Sequence, residues 1–178
     1  MGKGVEAEAR SAYGILIVDD ERSLRFTIGE ALRGEGFRVF EAPGGQQAFA
    51  LLREEEIDLV LLDQKLKESG EDGLEILRTI KRDYPEIEVV MMTAYGKFES
   101  AVEATKLGCY QYLGKPFEID QLTLVIRAAL ENSSLRREVE LLRRVESGRY
   151  PVELVEGESP RLRQALEQIE WEPAAVLG

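Results

Sequence analysis

Five residues able to do chemistry stand at one recurring place in this sequence, directly after a short apolar run. Asp19 and Asp20 follow Ile15 to Val18, Asp63 follows Leu59 to Leu62, Thr93 follows Val89 to Met92, and Lys115 follows Tyr110 to Gly114. Three carboxylates drawn together repel and raise at least one proton affinity unless cations compensate them. A divalent ion and an ammonium group do so. Mg2+ fits such donors, because it takes a few carboxylate and carbonyl oxygens, keeps waters and leaves room for a phosphate oxygen. Lys115 supplies a further point charge and Thr93 a hydroxyl donor. A carboxylate in these surroundings can act as an in-line nucleophile and hold a phosphoryl group as an acyl phosphate. Asp63, which stands alone after the central run, is the candidate nucleophile. Any one of these acids taken singly more often caps a helix or turn; their joint occurrence, in order, points to chemistry.

The elements that must position them alternate short aliphatic runs with longer segments of helical period, the pattern of a parallel sheet covered by helices on both faces. The spacing predicts strands at Ile15 to Val18, Arg38 to Glu41, Leu59 to Leu62, Val89 to Met92 and Tyr110 to Leu113, with helices near 22–33, 44–55, 73–83 and 97–107. Strands one, three and four are almost wholly apolar, as strands buried on both faces should be, whereas strand two alternates and is expected at an edge. In such a sheet ligands bind beyond the carboxyl ends of the strands, where the five residues fall. A last helix starts near Glu118 and runs to about Glu146.

Composition limits the alternatives. The 178 residues, 44% hydrophobic, suffice for one buried domain with extra segments. A net charge of −11 argues against a nucleic-acid-binding surface. One cysteine, Cys109, and no histidine exclude an internal disulfide and the usual zinc ligands, which fits a cytoplasmic setting. No segment has the length and apolarity of a membrane span or signal peptide.

Ile15-Leu-Ile-Val-Asp-Asp-Glu21, Asp58-Leu-Val-Leu-Leu-Asp63, Val89-Val-Met-Met-Thr-Ala94 and Tyr110-Gln-Tyr-Leu-Gly-Lys-Pro-Phe117 resemble the strand-end signatures of response-regulator receiver domains of two-component systems. The resemblance covers roughly residues 13–131. It implies a flavodoxin-like, doubly wound five-stranded parallel sheet, here with an extended C-terminal helix, and phosphorylation of Asp63 by a sensor histidine kinase. It also implies that Asp20, Asp63 and the backbone carbonyl of Lys65 bind Mg2+ directly, that Asp19 acts mainly through water, and that Lys115 grips the phosphoryl group. Thr93 and Tyr112 become the switch pair, the hydroxyl moving to the phosphate and the ring turning inward behind it; Tyr112 taken alone reads as half-buried packing. One departure stands beside the acceptor. Such receivers usually carry a short loop with a Met-Pro pair before Asp-Gly, whereas Gln64-Lys-Leu-Lys-Glu-Ser-Gly-Glu-Asp72-Gly73 is longer by about two residues and lacks the proline. Kinase recognition and acyl-phosphate lifetime therefore do not carry over. Gly114 before Lys115 is a smaller oddity. Loop drift is the default account of both.

Five segments are expected: a flexible stretch 1–13, the receiver 14–131, a dimerising helix 132–146, a linker 147–158 with Ser147, Gly148 and Pro151, and a final segment 159–178. Val125, Ala128, Asn132, Leu135, Val139 and Leu142 form an a/d seam suited to a parallel homodimer, with Asn132 setting register. The competing reading is a helix packed back on its own domain. Its first part must cover the receiver core through Leu122, Leu124 or Ile126. Ser159-Pro160 opens a short helix with Leu162, Leu166 and Ile169 on one face, and Ala174 to Leu177 reads as a strand. From Gly157 to Ile169 the chain resembles the opening of the AAA+ domain of sigma-54 activators, yet no Gly-x-x-x-x-Gly-Lys-Ser/Thr follows, so this chain is expected to stop short of the ATPase it controls. A natural stop is the alternative.

Three functions compete: a phosphorylation-controlled regulator of a sigma-54-activating ATPase, an Mg2+-dependent phosphatase working through an aspartyl phosphate, and a phosphate-independent dimerisation module of receiver fold. The haloacid-dehalogenase-like phosphatases carry a second acid two residues after the nucleophile. Lys65 stands there instead.

Overall fold

Side chains that alternate between the two faces of each buried apolar run decide the architecture. The structure, a computed structural model, describes residues 13–94 and 98–146. Strands β1 (Gly14–Val18), β2 (Arg38–Ala42), β3 (Leu59–Asp63), β6 (Glu88–Thr93) and β7 (Gln111–Gly114) form one parallel sheet in the order β2-β1-β3-β6-β7. Between them run α1 (Arg22–Gly34), α2 (Gly45–Glu54), α3 (Gly73–Asp83) and α4 (Phe98–Lys106), and α5 (Ile119–Glu146) closes the described chain. All five expected strands and the first four helices are present to within about a residue at each end.

Period two sends neighbouring residues to opposite faces. Leu16, Val18, Val60, Leu62, Val89 and Met91 pack with Ala48 and Leu52 of α2, Leu74, Leu77 and Ile80 of α3 and Ala104 of α4. Ile15, Ile17, Leu59, Leu61, Val90 and Met92 pack with Ile28 and Leu32 of α1 and with Leu122, Ile126 and Ala129 of α5. Both faces of β1, β3 and β6 are therefore fully buried, whereas β2 and β7 have exposed positions at the edges. Each fully buried Leu or Ile contributes about 1.5–3 kcal/mol relative to exposure. The chain steps outward from β1 to β2, returns across β1 to β3, then continues the other way. This reversal places a crevice at the carboxyl ends of β1 and β3.

The segment expected as a drifting loop is an antiparallel hairpin, β4 (Lys65–Leu66) with β5 (Glu71–Asp72). Gly70 makes its turn at φ +72°, which an L side chain rarely adopts. Lys65 pairs with Asp72 at 3.7 Å, and Ser69 donates to Glu71 at 2.7 Å. Glu71 in turn accepts from the backbone N–H of Gly45 at the start of α2. At Gly73 a Cβ would lie 2.3 Å from the Asp63 carbonyl oxygen, so the hairpin can rejoin the core this closely only through glycine. No such need exists at Gly114, where a Cβ would meet nothing within 4 Å.

The chain divides into two compact units, one ending at Ser133 and the other starting at Ser134. In the first, Leu122, Val125, Ile126, Ala129 and Leu130 of α5 face the sheet. Two expectations are corrected here. Leu124 does not cover the core but is 66% exposed, and Val125, assigned to an intermolecular seam, is only 9% exposed within its own receiver core. The helical turn explains both. Successive residues on a helix are separated by about 100°, so Leu124, two positions from both Leu122 and Ile126, points away from the stripe those two form. Val125, next to Ile126, borders that stripe. Ala128 and Asn132 are exposed. In the second unit Leu135 and Val139 are 45% and 47% exposed and Leu142 is half-buried. The expected segments 1–13, apart from Tyr13, and 147–158 and 159–178 lie outside the described residues.

Candidate functional site

The crevice collects the five residues. Asp19 and Asp20 lie just past β1, Asp63 ends β3, Thr93 ends β6 and Lys115 follows β7. Asp19 is fully buried, Asp63 nearly so, and Asp20 half-buried. Carboxylate oxygens of the three lie within 4.8 Å of one another. Lys115 reaches in from the far edge, its Nζ 2.7 Å from Asp19 Oδ2 and 3.4 Å from Asp63 Oδ1. Its position follows from the sheet, because the Lys115 backbone N–H donates to the Thr93 carbonyl at 2.6 Å and extends the β6–β7 ladder. The Lys115–Pro116 peptide bond is cis.

The local hydrogen bonds keep the acids aimed at one another. Asp19 Oδ1 accepts from the Glu21 N–H at 2.8 Å, closing a turn ahead of α1, while its other oxygen serves Lys115. Arg25 donates to the Asp19 carbonyl at 2.5 Å and lies 3.9 Å from Glu41. Asp20 Oδ2 accepts from the Glu68 N–H of the hairpin at 2.9 Å. Burial pushes the Asp63 carboxyl above the ordinary aspartate value; the Lys115 ammonium pulls it down, the Asp19 charge pushes it up, and a backbone hydrogen bond from Lys65 pulls it down without cancelling the rise. Burial alone would lower Lys115, but its hydrogen bond to Asp19 and the attraction of both acids outweigh that and raise it.

Hard carboxylate oxygens at this spacing suit Mg2+ and offer little to softer metals. Asp19, Asp20 and Asp63 could hold it. The Lys65 side chain is largely exposed and paired with Asp72, so only its backbone takes part at Asp63.

Thr93 and Tyr112 are joined by a residue that the sequence pattern assigns to a loop. Gln64 Oε1 accepts from Thr93 Oγ1 at 2.8 Å and from the Tyr112 hydroxyl at 2.5 Å. Sequence reasoning misses Glu68, Glu71 and Arg25 as well. The signal for Gln64 is its place immediately after an apolar strand, where a polar side chain is carried inward; the other three become visible only when distant segments meet.

A cluster of acids and one lysine at the switch point of a doubly wound parallel sheet defines a class of metal-assisted phosphate-handling α/β domains. Within that class the chain belongs to the response regulator receiver domain family, whose model matches residues 15–127. It is thus a signalling module rather than an enzyme acting on an external substrate. It is 41% identical over 128 residues to the putative response regulator NtrX-like of Rickettsia felis, a match covering 72% of this chain and 27% of that protein. Sporulation initiation phosphotransferase F of Bacillus subtilis is 40% identical over 116 residues, 65% of this chain and 92% of that one. The crystal structure of NtrX from Brucella abortus in complex with ATP superposes with a TM-score of 0.70 at 41% identity, over 74% of this chain and 30% of that chain. The chain therefore spans about a quarter of the length of its NtrX-like relatives.

Proposed function

We propose that Asp63 accepts a phosphoryl group from a sensor histidine kinase and that the event is passed through α5 to a following AAA+ domain that activates sigma-54 RNA polymerase. The observation that carries the reading is the convergence of Asp19, Asp20, Asp63 and Lys115 within hydrogen-bonding and metal-ligating range. In this reading Asp63 is the nucleophile and Asp20 a direct metal ligand along with Asp63 and the Lys65 carbonyl. Asp19 acts through water, Lys115 holds the phosphoryl oxygens, and Thr93 and Tyr112 form the switch. Bound Mg2+ would neutralise charge on the carboxylates and on the group being transferred. The NtrX-like relatives support the downstream partner.

The phosphate-independent alternative rests on the unusual 64–72 segment. That segment folds as a hairpin tied to Asp20 through Glu68, and the acid cluster stays assembled, which favours the phosphate reading. The partner of the exposed α5 stripe in this reading is a second copy of the chain, through Ala128, Asn132, Leu135, Val139 and Leu142. The setting in this reading is cytoplasmic, and the buried free thiol of Cys109 suits a reducing compartment. No described helix is long and apolar enough to cross a membrane. The net charge of −11 leaves nucleic acid to another domain.

Incubation with a small-molecule phosphodonor and Mg2+ tests the acceptor directly. Intact-mass measurement should find one added phosphoryl group on the wild-type chain and none on Asp63→Asn, and Asp20→Ala should lose both the modification and Mg2+ binding. Equal labelling of Asp63→Asn would assign the acceptor elsewhere.

A further inference from the structure

Two hydroxyls that belong to one switch share a single acceptor. Thr93, 2% exposed, and Tyr112, on the edge strand β7, each donate to Oε1 of Gln64, which is itself 5% exposed. Gln64 is held at its backbone as well: its N–H donates to the Met92 carbonyl at 2.9 Å, and its carbonyl accepts from the Gly73 N–H at 2.8 Å. It therefore sits between β6 and the start of α3 with little room to move. A hydroxyl has one proton to donate. While Thr93 gives that proton to Gln64, it cannot also give it to an oxygen bound at Asp63.

We propose that Gln64 is the positioning residue of the switch, its side-chain carbonyl holding the Thr93 and Tyr112 hydroxyls together until a phosphoryl group on Asp63 competes for Thr93. The proposal rests on the reading of Asp63 as the phosphoryl acceptor. Its chemistry is an exchange of hydrogen bonds with no covalent step. Thr93 leaves a neutral amide oxygen for a charged phosphoryl oxygen, a stronger acceptor, and Gln64 loses the buried one of its two donors. That loss opposes activation, so Gln64 sets the threshold at which phosphate moves the pair. Because Tyr112 shares the acceptor, a shift in either hydroxyl alters the hydrogen bond of the other, which links the phosphate crevice to β7.

The test measures binding of beryllofluoride in Mg2+ by calorimetry on the whole chain. Gln64→Met keeps volume but removes the acceptor, and it should bind the mimic about fivefold tighter, since one buried hydrogen bond no longer has to be broken. The gain should vanish in a Thr93→Ala background. A residue serving only as packing would change affinity equally in both backgrounds, and that result, or equal affinity of wild type and Gln64→Met, overturns the proposal. Gln64→Leu serves the same purpose should Gln64→Met fail to fold. A wild type that does not bind the mimic, or an Asp63→Asn variant that binds it as well, overturns the acceptor reading and the switch role with it; tight Asp63-dependent binding without a Gln64 effect overturns the switch role alone.

Discussion

At the scale of single residues, the burial of Asp63 works against its ionised form. Burial lifts its folded-state pKa above the ordinary aspartate value, with Asp19 adding to the lift against the pull of Lys115. For a raised acid the folded state binds the proton more tightly than the unfolded chain. Its stabilising contribution is therefore complete at low pH and is lost as pH rises from the unfolded value through the folded one. Asp63→Asn, neutral at all pH, should be more stable than wild type near neutrality without Mg2+, and the gain should shrink as pH falls through the carboxylate range. Urea midpoints of both proteins at about pH 7 and about pH 4 would measure this; a less stable Asn variant at the higher pH contradicts the sign. Beside it, Asp19 is fully buried, with Lys115 Nζ 2.7 Å from its carboxylate.

At the scale of elements, the hairpin β4–β5 binds two neighbours to the crevice. Its Glu68 N–H holds Asp20, and its Glu71 carboxylate sits at the N-terminus of α2, where unpaired N–H groups and the helix dipole favour negative charge. Gly44 and Gly45 admit this approach, because a Cβ on either would come within 2.8 Å of a Glu71 oxygen. Glu71→Ala should cost about 1–2 kcal/mol, as expected for losing two partly exposed hydrogen bonds to a carboxylate, from the Gly45 N–H and the Ser69 hydroxyl, discounted for solvent screening, read from urea denaturation. It should also weaken Mg2+ binding by loosening the Glu68–Asp20 contact. Unchanged stability and unchanged Mg2+ affinity together would reduce the hairpin to a passive insertion.

At the scale of the whole molecule, α5 packs one face on the sheet and leaves other positions exposed. Leu122, Ile126, Ala129 and Leu130 close one face of the receiver, and Arg127 pairs with Glu35 at the end of α1. Ala128, Asn132, Leu135 and Val139 are exposed and continue at steps of four and three. Leu135→Asp should shift the chain from dimer to monomer in sedimentation at micromolar concentration; a wild type that is already monomeric, or a dimer indifferent to the aspartate, contradicts the seam. Since β7 and α5 follow one another in the chain, occupancy of Asp63 should change the dimer dissociation constant by a coupling of about 1–3 kcal/mol. Thr93→Ala should abolish most of that change while still accepting phosphate, and an equal response in both proteins would route the signal elsewhere.

The sequence by itself determined the elements and the acids, because both are written locally. Short apolar runs and helical periods set the elements to within about a residue, and Asp19, Asp20, Asp63, Thr93 and Lys115 each stand at the end of a readable run. Contacts between distant segments were decided by the tertiary structure. A polar residue after a strand reads as loop until β6 and β7 bring Thr93 and Tyr112 to Gln64, 29 and 48 residues away. The 64–72 segment has too few apolar positions to announce a hairpin, and its order comes from Asp20 and Gly45, which lie far back in the chain. Heptad spacing alone placed Val125 in an outward seam, and only docking of α5 on the sheet turned Val125 inward and left Leu124 exposed. Periodicity gives the angle between residues on a helix; which angle faces the core is fixed by what the helix packs against.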